Sequence, residues 1–214
     1  MGMAELHIEE DGNFALGSIL RAAEIEFAEK GFDGAGMKAL ATRAGVSQSL
    51  LHYHFGSKAT LYKSVIRGRS KLINDERIER LSTIDFGQDD ALEQIFRALF
   101  VPALGPTGGG RAYARIFAGL IAGNERDREL VRECYDPTAM KFLDAIAKAL
   151  GHEDHNISAQ VYQFALGVLA SAISKDGRIE RLMGDETNKI EDNILVEKLV
   201  RFSVGGASAL ANSN

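Results

Sequence analysis

The sequence predicts an all-α protein. Only three prolines occur in 214 residues (Pro102, Pro106 and Pro137). No run of β-branched residues alternates with polar ones, and apolar side chains recur at helical spacing along most of the chain. The composition, 45% hydrophobic and 26% charged, is that of an ordinary globular protein, and it excludes a disordered tail, a collagen-like fibre and a disulfide scaffold. The single cysteine, Cys134, cannot form an intramolecular disulfide or a multi-cysteine metal site. No apolar run reaches the roughly 18 residues of a membrane span. The opening Met1-Gly2-Met3-Ala4-Glu5 lacks the basic-then-apolar layout of a signal peptide, so the expected location is the cytoplasm.

The elements follow in order. Ile19, Ala22, Ala23, Phe27 and Ala28 share one face of a first helix over about 14–30, which Gly31 stops. A short helix runs from Met37 to Ala44 and ends at Gly45. Ser47 caps a helix over about 48–54, and Ser57 caps the next, which runs to about 80. Further segments are expected near 88–103, 111–123, 126–150, 157–175 and 188–210. The stretches 105–110, 152–156 and 184–187 read as joints between them.

Charge is distributed unevenly. The formal net charge is −5, yet no acidic residue occurs between Asp33 and Asp75. That stretch carries Lys38, Arg43, Lys58, Lys63, Arg67, Arg69 and Lys71, together with His52 and His54. A positive field on an otherwise acidic protein is the footprint of a polyanionic partner.

Within this basic stretch, residues 37–55 place two short helices about a three-residue turn, Gly45-Val46-Ser47. Leu40, Ala41, Ala44, Val46 and Leu51 are spaced to form a small shared core, and glycine supplies the left-handed backbone the turn requires. Gln48, Ser49, Leu50, His52, Tyr53 and His54 are then left to face outward. Seven residues at about 1.5 Å each make a rod of about 10 Å, short enough to enter a major groove about 12 Å wide. Their amide, hydroxyl, imidazole and phenol groups suit base edges, methyls and phosphates. The arrangement is a helix-turn-helix.

Residues 16–62 resemble the DNA-binding domain of the TetR family of transcriptional repressors. The resemblance runs through Ile19-Leu20-Arg21-Ala22-Ala23 and Phe27-Ala28-Glu29-Lys30-Gly31-Phe32. It continues in Leu40-Ala41, Ala44-Gly45-Val46-Ser47, Leu51, Tyr53-His54-Phe55, Ser57-Lys58 and Leu61. It implies that the helix beginning at Gln48 reads DNA and that Lys58 grips a phosphate. It also implies that Lys38 reaches a base or phosphate and that Tyr53 and His54 contact phosphates and thymine methyls. Three positions depart from the family pattern. Ala35-Gly36 replaces a hydroxyl-bearing pair, His52 replaces a tyrosine, and Glu26 stands where a core leucine is usual. A small rotation of the first helix, seating Ile25 in that leucine's place, is the expected adjustment.

The resemblance divides the chain into a helix-turn-helix DNA-binding domain over 12–60 and an effector-binding and dimerisation domain over 61–214. In the second domain some apolar side chains should line a cavity for a small, apolar effector. Arg97, Tyr113, Arg115 and Gln163 are polar groups among apolar positions, and one turned inward would hold the carboxylate or other polar end of that effector. With Phe100, Phe117 and Phe164 they form the candidate effector set. Tyr162-Gln-Phe-Ala-Leu-Gly-Val-Leu-Ala and Arg181-Leu-Met-Gly are weakly similar to fatty-acid-responsive members. Ala165, Gly167, Ala170, Ala172, Val204, Ala207, Ala209 and Leu210 allow close helix packing, and the family pairs its last two long helices in a homodimer. The expected partners are therefore a palindromic operator in double-stranded DNA, a small effector and a second copy of the chain, with no membrane and no cofactor. The expected behaviour is repression, relieved when the effector binds.

Other signals point to bland readings. Gly105–Gly110 has the outer spacing of a phosphate loop, but Arg111 and Ala112 replace its Lys and Ser/Thr, so a flexible connector is expected. His152-Glu-Asp-His155 reads as a solvated joint rather than a metal site. Cys134, beside Glu133, reads as a packed thiol. No catalytic triad, HExxH or paired-carboxylate pattern occurs, so no enzyme is expected. The two rival classes are an architectural DNA-binding protein without an effector and a small helical enzyme.

Overall fold

The computed structural model describes residues 3–121, 123, 125–151, 155–174, 178–184 and 191–212, with side chains from Leu16 onward except those of Ser174, Ile179, Glu180 and Asp192. Every regular element among them is helical, and the chain divides into two compact units, 1–68 and 69–214.

In the first unit, α1 (Met3–Gly34) is interrupted at Gly31, whose φ of 67° no other residue type adopts readily. The stop at Gly31 is therefore as the sequence predicts, while the helix begins well before residue 14. α2 (Met37–Ala44) ends at Gly45, whose left-handed φ of 70° lets its N–H and that of Val46 return to carbonyls of α2. α3 (Gln48–Phe55) starts at Ser47, whose Oγ accepts from the Leu50 N–H at 3.1 Å. α4 (Lys58–Ser82) starts after Ser57, whose Oγ accepts from the Thr60 N–H at 3.1 Å. α4 begins in the first unit and ends in the second.

The core of this unit is Ile19, Ala22, Ala23, Phe27, Leu40, Ala41, Leu51, Leu61, Tyr62 and Ile66. Tyr62 meets Phe27 and Phe32 edge-on at 5.0 and 5.1 Å. The expected rotation of α1 does not occur. Ile25 is 40% exposed and Glu26 is 1% exposed, so the carboxylate occupies the apolar position itself. Lys30 meets it at 2.7 Å and Arg43 Nε at 3.0 Å, and Arg43 also reaches Glu29 at 2.6 Å. A buried charge is tolerated when paired, and this pairing ties α1 to α2.

The second unit contains the rest of α4, then α5 (Ala91–Leu104), α6 (Gly110–Ile121), α7 (Glu125–Cys134), α8 (Asp136–Leu150), α9 (His155–Ser174), α10 (Arg178–Met183) and α11 (Asp192–Ala211). α5 packs on α8, α9 and α11, and α9 also packs on α6, α8 and α11. The segment expected as one helix over 126–150 is two. They break at Tyr135, and Pro137 lies in the first turn of α8, where its missing N–H costs no hydrogen bond. The joint over 105–110 is ordered rather than slack: Pro106–Gly108 form a 3₁₀ turn, and Arg69 Nη1 donates to the Thr107 carbonyl at 3.1 Å. Of the 152–156 joint, His155 and Asn156 belong to α9, and 152–154 lie outside the described residues, as do 185–187 of the last joint. Cys134 is half-buried at the end of α7.

Candidate nucleic-acid interface and effector cavity

Six of the eight candidate DNA-contacting residues sit on the eight-residue α3. Gln48, Ser49, His52 and Tyr53 are exposed, Tyr53 to 83%, while Leu50 and His54 are half-buried. Leu51 and Phe55 are buried and fix the helix to its unit. The imidazole of His54 supports the Tyr53 ring edge-on at 5.3 Å. His52 Nδ1 lies 2.9 Å from the Gly56 carbonyl. A carbonyl only accepts, so Nδ1 carries the proton and Nε2 of the neutral ring is an acceptor.

Lys38 is exposed on α2. At the start of α4, Lys58 Nζ donates to the carbonyls of Ala35 (2.9 Å) and Asp33 (3.3 Å) and lies 4.6 Å from the centre of the Phe32 ring. An ammonium has three donors, so one remains beyond those two carbonyls. No acidic residue lies in the first turn of α2, α3 or α4, which leaves the positive ends of their helix dipoles unopposed and favourable to anions. Gly36 caps α2 without a side-chain hydrogen bond, as expected from the missing hydroxyl.

The second unit holds a narrow cavity with free space of about 10 Å³, room for about one water molecule. Ile73, Ala103, Ala114, Phe117 and Ile173 form its apolar wall, Gly108 adds backbone, and Arg77, Tyr113 and Tyr135 supply polar groups. Two residues of the candidate effector set, Tyr113 and Phe117, line it. Phe100 is buried in the core and stacks on Phe96 at 5.9 Å. The other four do not line the cavity. Arg97 pairs with Glu197 of α11 at 2.7 Å, which holds that glutamate below the ordinary carboxylate range, and Arg115, Gln163 and Phe164 are exposed.

Sequence reasoning missed Arg77 and Tyr135. Arg77 is 1% exposed. Its Nε donates to the Leu99 carbonyl at 3.1 Å and its Nη1 to Asn74 Oδ1 at 3.4 Å, and Asn74 donates in turn to the Cys134 carbonyl at 2.7 Å. The hydroxyls of Tyr113 and Tyr135 are hydrogen-bonded to each other. Burial raises the Tyr135 and Tyr162 phenols and lowers the Arg77 guanidinium. The available signal was the stripe Ile66, Ser70, Ile73 along α4, which arrives at Arg77 four residues later.

Of the small residues expected to form a dimer face, Ala165 and Ala207 are buried within the chain, while Gly167 and Ala209 are exposed. Phe164 on α9, and Ile194 and Phe202 on α11, also stand exposed.

A helix-turn-helix with a short, polar, outward-facing second helix, followed by an all-helical unit with an interior cavity, defines a DNA-binding regulator. The chain belongs to the TetR family of bacterial regulatory proteins: residues 19–65 match that family's DNA-binding part, and residues 93–206 match a tetracyclin repressor-like C-terminal domain. It is similar to the HTH-type transcriptional activator FasR of Mycolicibacterium smegmatis, at 30% identity over 195 residues, covering 90% of this chain and 82% of that protein. Two solved structures share the fold. The fatty acid degradation regulator FadR of Bacillus halodurans has a TM-score of 0.67 at 16% identity, with 90% of this chain and 95% of that one covered. FadR of Bacillus subtilis in complex with stearoyl-CoA has a TM-score of 0.63 at 15% identity, with 92% and 98% covered. Among the described residues no helix is long and apolar enough to cross a membrane.

Proposed function

We propose that this protein is a ligand-responsive transcriptional repressor: a homodimer that holds a palindromic operator and releases it when a small apolar effector enters the second unit. The observation that carries the reading is α3, a helix about 12 Å long that projects Gln48, Ser49, His52 and Tyr53 from a stretch of chain without acidic residues. In this reading those side chains, with Leu50 and His54, meet base edges and phosphates, Lys38 adds a contact from α2, and the third donor of Lys58 takes a phosphate. Two copies of α3 held about 34 Å apart read two half-sites. The exposed Phe164 and Phe202 become part of the contact between protomers.

α4 carries Lys58 at its start and the cavity residues Ile73 and Arg77 in its second half. An effector that moves the second half changes the spacing of the two α3 helices. Ligand and DNA then oppose each other reciprocally, by about 1–3 kcal/mol. The apolar cavity wall supports an apolar effector, as does the stearoyl-CoA complex of a neighbour with the same fold.

The test is a titration of promoter fragments against salt, with wild type and Lys58→Ala. The variant should weaken binding to every sequence alike and reduce the slope of log K against log salt by about 0.9, one phosphate. A change in sequence preference alone would remove Lys58 from its assigned role, and no binding at low salt would remove the regulator reading. A second reading, activation, is favoured by the name of the Mycolicibacterium relative. A reporter gene behind the bound promoter separates the two: repression lowers its output in the presence of the protein, activation raises it.

A further inference from the structure

The buried guanidinium of Arg77 has no carboxylate partner among the described residues. It is 1% exposed, its two described hydrogen bonds go to the Leu99 carbonyl and to Asn74 Oδ1, and the titratable groups facing it are the phenols of Tyr113, Tyr135 and Tyr162. An arginine keeps its proton in a protein, so a full positive charge stands in the interior balanced only by neutral dipoles. A buried cation in that state is costly unless an anion joins it. The same side chain lines a cavity whose remaining wall is Ile73, Ala103, Ala114, Phe117 and Ile173, with two tyrosine hydroxyls beside it.

We infer that Arg77 is the seat of a carboxylate: the effector is an organic acid with an apolar body that enters by widening the cavity beyond the space of about one water it has in the structure, its carboxylate held by the Arg77 guanidinium and its body against the apolar wall. The inference rests on the reading that the second unit receives an effector, and it specifies that the ligand's charged end lies inside. Of the guanidinium's five N–H donors, two are used in the described hydrogen bonds. A carboxylate accepts two of the others side by side in the paired geometry that guanidinium favours. Tyr113 and Tyr135, bonded to each other in the structure, supply a hydroxyl proton to the same oxygens. An apolar chain ending in a neutral group leaves the charge as it stands, and an acyl thioester, neutral at the acyl end, does the same.

The test uses the full chain and measures binding by thermal shift and by calorimetry. The probes are hexanoate, decanoate and hexadecanoate, the matched primary alcohols, and the matched CoA thioesters. The expected result is at least a ten-fold tighter fit for a carboxylate than for its alcohol or thioester in the wild type. Arg77→Gln should lose that preference while keeping its helical circular dichroism, and Arg77→Lys should keep part of it. Equal binding of acid and alcohol by the wild type, tighter binding of the thioester, or no binding of any of the carboxylates overturns the inference without reference to a variant. Failure of the regulator reading is seen separately, as absence of DNA binding by the ligand-free protein at low salt.

Discussion

Replacing Glu26 by leucine isolates what joins α1 to α2. The carboxylate lies in an apolar position, met by Lys30 at 2.7 Å and Arg43 at 3.0 Å. Removing a carboxylate from water costs several kcal/mol, and the charge-assisted hydrogen bond from Arg43, about 1.5–3 kcal/mol, together with the ion pair to Lys30 roughly offsets that cost. Leucine removes both effects and adds about 1.5–3 kcal/mol of apolar burial. The two cations it releases are not stranded, because Lys30 and Arg43 both reach solvent and Arg43 keeps Glu29 at 2.6 Å. Glu26→Leu should therefore stabilise the first unit by about 1–3 kcal/mol at neutral pH. Glu26→Gln, which keeps the shape and loses the charge, should destabilise it by about 1–3 kcal/mol.

The pH dependence has a definite sign. The ammonium of Lys30, ahead of the contribution of Arg43, holds the Glu26 carboxyl below its ordinary value of 4.5. A carboxyl lowered on folding contributes its stability above the unfolded value and loses it as pH falls through the folded one. The advantage of leucine should therefore widen as pH drops below about 4.5. Urea unfolding followed by circular dichroism, at neutral pH and at about pH 4, measures both effects. A leucine variant less stable than wild type at neutral pH, or a gap that does not change with pH, would refute the reasoning.

Two further substitutions probe the second unit. If the proposed protomer contact buries Phe202, Phe202→Asp should break it, since loss of a buried phenylalanine costs about 1.5–3 kcal/mol and two-fold symmetry counts it twice; sedimentation should then show dimer for the wild type and monomer for the variant, and DNA affinity should fall with it. An added Cβ at Gly108 would overlap the Ala103 carbonyl oxygen, so Gly108→Ala should push the 3₁₀ turn off the end of α5. It should lower the melting stability by about 1–3 kcal/mol and impair effector response before DNA binding; an unchanged melting temperature would show that the turn is free to shift.

Legibility in the sequence followed locality. α2 and α3 lie where Gly45 and Ser47 put them, because a left-handed C-cap and a serine N-cap act within a few residues. The break at Tyr135 was obscured by apolar spacing that continues across it, although Pro137 marked a helix start. α10, six residues long, carries too little periodicity to detect. Gln163 and Phe164 were misplaced by composition, but the buried face Val161, Tyr162, Ala165, Leu169 and Ile173 leaves both outside at helical spacing. Glu26 has a local partner in Lys30, but its tie to α2 depended on Arg43, seventeen residues away, and Arg77 depended on a carbonyl and phenols from three other parts of the chain. Tertiary partners of that kind leave no local trace.

The same cluster gives the protein an optical property. The chain has no tryptophan and five tyrosines, so its near-ultraviolet absorption and emission come from tyrosine. Tyr53 and Tyr62 belong to the first unit, while Tyr113, Tyr135 and Tyr162 all face Arg77. Most of the intrinsic chromophores therefore surround the buried guanidinium of Arg77. An occupant of the cavity should alter quantum yield and near-ultraviolet dichroism directly, so filling can be followed in unlabelled protein, in real time, while bound DNA carries a dye at a longer wavelength.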